Sequence, residues 1–95
     1  GQGGVRPDGT LAASIEEQSE AAWRNLAAVL DGAGMGIGDI VKITSFVTCR
    51  EDLPKYGAVR DRYLAAHRPT STLLVVQALA RPGLLVEVEA FAAKV

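Results

Sequence analysis

The segment Val86-Glu87-Val88-Glu89-Ala90-Phe91 constrains the fold more than any other part of the chain. Successive side chains of a strand point to opposite sides. Val86, Val88 and Ala90 therefore share one face, and Leu85, Glu87, Glu89 and Phe91 share the other. The first face belongs to a core. The second cannot be an ordinary dry core, because an unpaired carboxylate is too costly to bury. It must face water, a partner subunit or a ligand. A sheet with one closed and one open side needs a covering layer on the closed side only.

The preceding residues supply that layer. Ser14 followed three positions later by Glu17 forms a capping-box pattern at a helix start. Ala22, Leu26, Val29, Leu30 and Ala33 then recur at helical spacing, and Gly32 to Gly34 offers the glycine that ends a helix. Asp39 to Thr48 is rich in β-branched residues and predicts a strand, with Val41, Ile43, Ser45 and Val47 on one face and Ile40, Lys42, Thr44 and Phe46 on the other. Pro54 fits the first turn of a second helix, whose stripe is Tyr56, Val59, Tyr63 and Ala66 and which must stop before Pro69. Thr70 to Ala78 and Leu84 to Ala92 predict two more strands, with Arg81-Pro82-Gly83 between them as a hairpin turn. Arg6-Pro7-Asp8-Gly9 predicts a tight turn near the start. The fold class that follows is α+β, a mixed sheet with two helices packed on one face.

At 95 residues the chain makes one domain, spanning residues 1–95, with no internal repeat. Apolar residues make up 48%, and the surplus of Ala, Val and Leu leads us to expect an oligomeric interface. A net charge of −1 with interspersed signs gives no nucleic-acid footprint. No apolar run reaches the roughly 18 residues that span a bilayer, and no signal peptide is visible. One cysteine, Cys49, excludes an internal disulfide, and one histidine excludes most zinc sites. The expectation is a cytoplasmic protein without metal or cofactor and without membrane contact.

Five stretches in order resemble the RidA/YjgF family: Gly1-Gln2 followed by the Pro-Asp-Gly turn, the helix ending Asn25-Leu26 … Ala33-Gly34, Asp39 to Val47, Tyr56-Gly57-Ala58-Val59 … Tyr63, and Val86 to Ala90. Together they cover essentially the whole chain. The resemblance implies a chorismate-mutase-like fold, a homotrimer, and sites in clefts between subunits that act on a small-molecule metabolite. The activity it implies is hydrolysis of reactive enamines and imines to a carbonyl compound and ammonia; older family names refer to endoribonuclease activity and translation inhibition. It also implies one or two strands before Gly1, supplying a serine and an aromatic residue to the cleft.

One departure bears on chemistry. Deaminating members carry an arginine within Pro-Ala-Arg-Ser/Thr, whereas this chain reads Pro69-Thr70-Ser71-Thr72. Matching the prolines puts the arginine position at Ser71; matching backward from Val86 puts it at Thr72. A hydroxyl cannot hold a carboxylate bidentately as a guanidinium does. The family's nearby cysteine falls on Leu73 or Leu74, and its helix asparagine falls on Arg60.

The candidate site residues follow from that comparison. Glu87 matches the glutamate that orients a water in the family; its bland alternative is a carboxylate facing solvent or paired across a trimer. Glu89, on the same face, reads as structural. Ser71 and Thr72 are candidates to bind substrate, or are ordinary strand hydroxyls. Arg60 either replaces the lost cation from the helix side or is an exposed helix arginine, and Arg68 is a similar candidate at a subunit boundary. Tyr56, Tyr63 and Trp23 read as packing, His67 as a helix C-terminal residue, and Cys49 as unactivated. Gly32-Ala33-Gly34-Met35-Gly36 is not a phosphate loop, because it follows a helix rather than a strand. The leading expectation is a RidA-like imine or enamine deaminase with Glu87 catalytic. The rival is a non-catalytic metabolite-binding or regulatory trimer, and a ribonuclease is least favoured.

Overall fold

A computed structural model describes residues 1–94. In chain order the elements are β1 (Gln2–Gly3), α1 (Ile15–Gly32), β2 (Ile40–Val47), α2 (Leu53–Leu64), β3 (Thr70–Val75) and β4 (Val86–Ala92). The sheet is mixed, in the order β1-β4-β2-β3. Strands β2 and β3 run parallel and β4 is antiparallel to both its neighbours. Helix α2 is the crossover that a parallel neighbour requires.

Helix α1 starts where its cap predicts. The Glu17 N–H donates to Ser14 Oγ at 3.1 Å, and that hydroxyl donates to Glu17 Oε1 at 3.2 Å. The return bond therefore runs between side chains rather than to the Ser14 backbone. The helix ends as the Met35 N–H turns back to the Leu30 carbonyl at 2.8 Å, with Gly34 at φ +74° between them.

The core lies between the helices and the closed side of the sheet. Ala22, Trp23, Ile40, Ile43, Val47, Tyr56, Val86 and Val88 are almost completely buried there. Each large apolar side chain removed from water contributes about 1.5–3 kcal/mol. Val29, which the predicted stripe included, is exposed instead, while Trp23 is buried.

Three expectations are corrected. Ile40 is buried and Val41 is 56% exposed, the reverse of simple alternation. The register shifts between Ile40 and Lys42, so Val41 is one extra residue that flips the strand's parity. Secondly, Arg81-Pro82-Gly83 does not join a hairpin, because β2 lies between β3 and β4. It is a local turn closed by the Leu84 N–H on the Arg81 carbonyl at 3.1 Å, with Gly83 at φ +85° as a Pro-Gly type II turn demands. Thirdly, β3 stops at Val75 rather than Ala78, since its ladder partner β2 ends at Val47.

Candidate functional site

Register turns the open side of the sheet into a grid. Glu87 sits opposite Phe46, which sits opposite Leu74. The next row is Glu89, Thr44 and Thr72, and the one after it Phe91, Lys42 and Thr70. Neighbouring strands are about 5 Å apart, so the ends of a row stand about 10 Å from each other. Glu87 is half-buried where Glu89 is exposed. The chain start passes against it: a Cβ on Gly1 would lie 3.1 Å from the Glu87 carboxyl carbon. Leu74 and Phe91 are 44% and 66% exposed on this side. The carboxylate of Glu87 thus stands on a surface that is partly apolar.

The expected substrate-binding residues do not converge on it. Ser71 and Thr72 are adjacent in a strand and point to opposite sides. Thr72 shares the open side with Glu87, one row away and two strands across. Ser71 is on the closed side, at the sheet edge, in a cavity of about 370 Å³ that Arg60 and Arg68 also line. Within one chain the grouping of Glu87 with both hydroxyls and Arg60 is therefore not formed. Glu87 and Thr72 lie on the open side of the sheet, and Arg60 and Ser71 line the cavity at the β3 edge on the closed side.

Arg60 is held in place. Its Nε donates to Asp61 Oδ1 at 2.9 Å, and its guanidinium lies 5.9 Å from the centre of the Tyr56 ring. The same hydrogen bond holds the Asp61 carboxyl below its usual range. Arg68 spends one guanidinium nitrogen on the Ala65 and His67 carbonyls. The pair brings two cations and one carboxylate to the β3 edge.

Cys49 is exposed and its thiol donates to Glu51 Oε2 at 2.8 Å, which raises its pKa and leaves it unactivated. His67 closes the far end of β2 through a 2.7 Å hydrogen bond between Nε2 and the Ile40 carbonyl. Among the described residues no cluster of His, Cys, Asp and Glu is suited to a metal ion, and no helix is long and apolar enough to cross a membrane.

Two polar supports were invisible in the sequence. Tyr56, expected as packing, is buried and shares its hydroxyl with Ser45 Oγ and, at 3.3 Å, with the Trp23 indole N–H. Burial raises the Tyr56 pKa. Gln18, 1% exposed, donates to the Ala12 and Gly83 carbonyls at 3.1 and 2.9 Å and accepts from the Leu85 N–H at 2.7 Å. It fixes the segment entering β4, and so the start of the strand that carries Glu87. A glutamine inside a helix gives no signal of this role.

The family model for endoribonuclease L-PSP matches residues 1–94. This chain belongs to that family, the RidA/YjgF family. Among its relatives, the 2-iminobutanoate/2-iminopropanoate deaminase of Escherichia coli is 30% identical over 97 residues, covering 99% of this chain and 76% of that protein. A RutC family protein of Pyrococcus abyssi is 31% identical over 80 residues, covering 84% of this chain. The chain spans 62% of the length of that archaeal relative. E. coli TdcF, solved with bound serine, superposes with a TM-score of 0.93 at 29% identity, covering 100% of this chain and 77% of its own. RidA from an Antarctic Psychrobacter superposes at 0.89 with 28% identity, covering 95% and 73%. The RidA family thus accounts for the α+β fold and the order of its elements, and it includes relatives named as deaminases.

Proposed function

We propose that this RidA-family chain is a deaminase of reactive enamines and imines, working in clefts between the protomers of a homotrimer. The observation that carries this reading is the half-buried Glu87 on an open sheet side flanked by Phe46, Leu74 and Phe91. Solvent-facing sheet sides do not ordinarily expose that much apolar surface, whereas subunit interfaces cover it. Association over this side would shield Glu87 and bring it near the β3 edge of a second protomer.

The reaction is water addition to a C=N bond. Glu87 orients the water and takes its proton as oxygen bonds to the imine carbon. That proton passes to nitrogen to give a carbinolamine, whose hydroxyl proton then moves to nitrogen as the C–N bond breaks, so that ammonia leaves a carbonyl compound. Ser71 or Thr72, with backbone groups, would hold the substrate. Hydroxyls at the family's arginine position argue against a simple amino-acid imine as the preferred substrate. The same departure favours one second reading, a metabolite-binding trimer that kept the scaffold and lost the chemistry.

Ammonia release from freshly generated 2-aminoacrylate and from a bulkier imine lacking the carboxylate separates the two. A rate above buffer that falls at least 100-fold in Glu87→Gln, in a protein confirmed as trimeric by light scattering, is expected. A folded trimer that accelerates neither reaction would establish the binding reading instead.

A further inference from the structure

A second concavity lies on the other side of the molecule, in the helix layer. It is a groove of about 580 Å³ between α1 and α2, within the range of small-molecule pockets. Its floor is Ala12, Ala21 and Val59, with the exposed Ala58 at its edge. The small residues on both helices let the groove run deep between them.

Its rim carries four cations, Arg6, Arg24, Lys55 and Arg62, against three carboxylates, Glu16, Glu17 and Glu20. Two of these pairs neutralise each other. Arg6 meets Glu17 at 3.4 Å, and Arg62 meets Glu20, which also accepts the Tyr63 hydroxyl at 2.8 Å. Among the described residues Glu16 is unpaired too, but it lies about 12 Å down α1 from Arg24, and neither Arg24 nor Lys55 has an ion-pair partner. Glu20 meets Arg62 and Trp23 meets Tyr56, so α1 and α2 run antiparallel, and Arg24 and Lys55 fall at the same end of the groove. The other end holds the Glu20–Arg62 pair. The groove therefore combines an apolar floor with two uncompensated cations at one end.

We propose that this groove binds a small amphipathic carboxylate, its acid between Arg24 and Lys55 and its aliphatic or aromatic body on the alanine floor. The charge asymmetry selects an anion over an amine, and the floor selects an apolar body over a free inorganic ion. The site is remote from Glu87 and stays open when the sheet side is covered. It does not depend on the deaminase reading.

The test is an NMR titration of the full chain with sodium 3-phenylpropionate and sodium hexanoate, with phenethylamine as the cationic control. Saturable shifts at the Ala21, Ala58 and Val59 amides with a Kd below about 1 mM are expected for both acids, and none for the amine. Lys55→Glu and Arg24→Glu, both surface charge changes, should weaken the acids at least tenfold. Ala58→Trp, which fills the groove from an exposed position, should abolish binding while the thermal transition is kept. Equal binding of acid and amine overturns the proposal. So do unchanged affinities in the charge variants, or shifts confined to Phe91 and Leu74.

Discussion

Replacing Tyr56 with Phe removes one oxygen from a completely buried position. That oxygen is the hydrogen-bond partner of both Ser45 Oγ and the Trp23 N–H, and both of those residues are also fully buried. The ring can stay, so the apolar packing is nearly unchanged. What changes is that two polar groups lose their partner where water does not reach. Each orphan costs about 1–3 kcal/mol, so Tyr56→Phe should destabilise the fold by about 2–4 kcal/mol. A domain of this size has roughly 5–14 kcal/mol in total, so the loss is large. It corresponds to a fall in Tm of more than about 10 °C. Ser45→Ala alone should cost only about 1 kcal/mol, since the tyrosine still accepts from Trp23. The double variant removes the orphaned serine hydroxyl as well, and should be at least about 1 kcal/mol more stable than the sum of the single losses predicts. Urea unfolding at one fixed protein concentration measures all three, because any oligomer makes stability concentration-dependent. Single losses that add within about 0.5 kcal/mol, or a Tyr56→Phe loss below about 1 kcal/mol, would refute the buried chain of hydroxyls as a coupled unit.

The raised Tyr56 pKa has a signed consequence: the stability it carries is fully present below the unfolded tyrosine value near pH 10 and is lost as pH rises through the higher folded value. Tyr63 is raised too, by burial and by the Glu20 carboxylate, so Tyr56→Phe should leave a shallower alkaline decline in a urea midpoint series rather than none. Gln18→Leu deletes three hydrogen bonds to Ala12, Gly83 and Leu85 and should cost about 2–4 kcal/mol by the same unfolding assay. Gln77→Leu, at an exposed loop position, is its control and should stay within about 0.5 kcal/mol. Leu74→Lys places a charge on the open side without touching the core, so light scattering should show a smaller assembly while the circular dichroism spectrum is kept.

Local chemistry was legible wherever it decided the outcome. The Ser14 cap, the Pro54 helix start and the alternation of Val86 to Phe91 place their elements within a residue or two, because each depends on neighbours a few positions away. Tertiary choices were not. Nothing in Ile40-Val41-Lys42 announces a bulge, so the faces of that strand end were inverted. The turn at Pro82-Gly83 is present, yet which strand lies beside β4 depends on packing 40 residues away, and β2 takes the place assigned to β3. The same limit applies to the site. Glu87 stands out as a carboxylate in an apolar strand, whereas whether Ser71 or Thr72 shares its side depends on a ladder register that only the sheet reveals.

The strand that carries Glu87 lies inside the sheet, between β1 and β2, although it is made after every strand it touches. During synthesis β2, α2 and β3 can settle as a parallel unit, but among the described residues Gln2 and Gly3 have no strand partner until Glu87 and Val88 arrive. A ribosome adds about 5–20 residues each second, so these two residues wait seconds for β4. Closing the sheet and creating the carboxylate-bearing surface are then a single late event. A chain interrupted before Val86 would have neither, and would display the apolar edge of β2 to whatever strand came by.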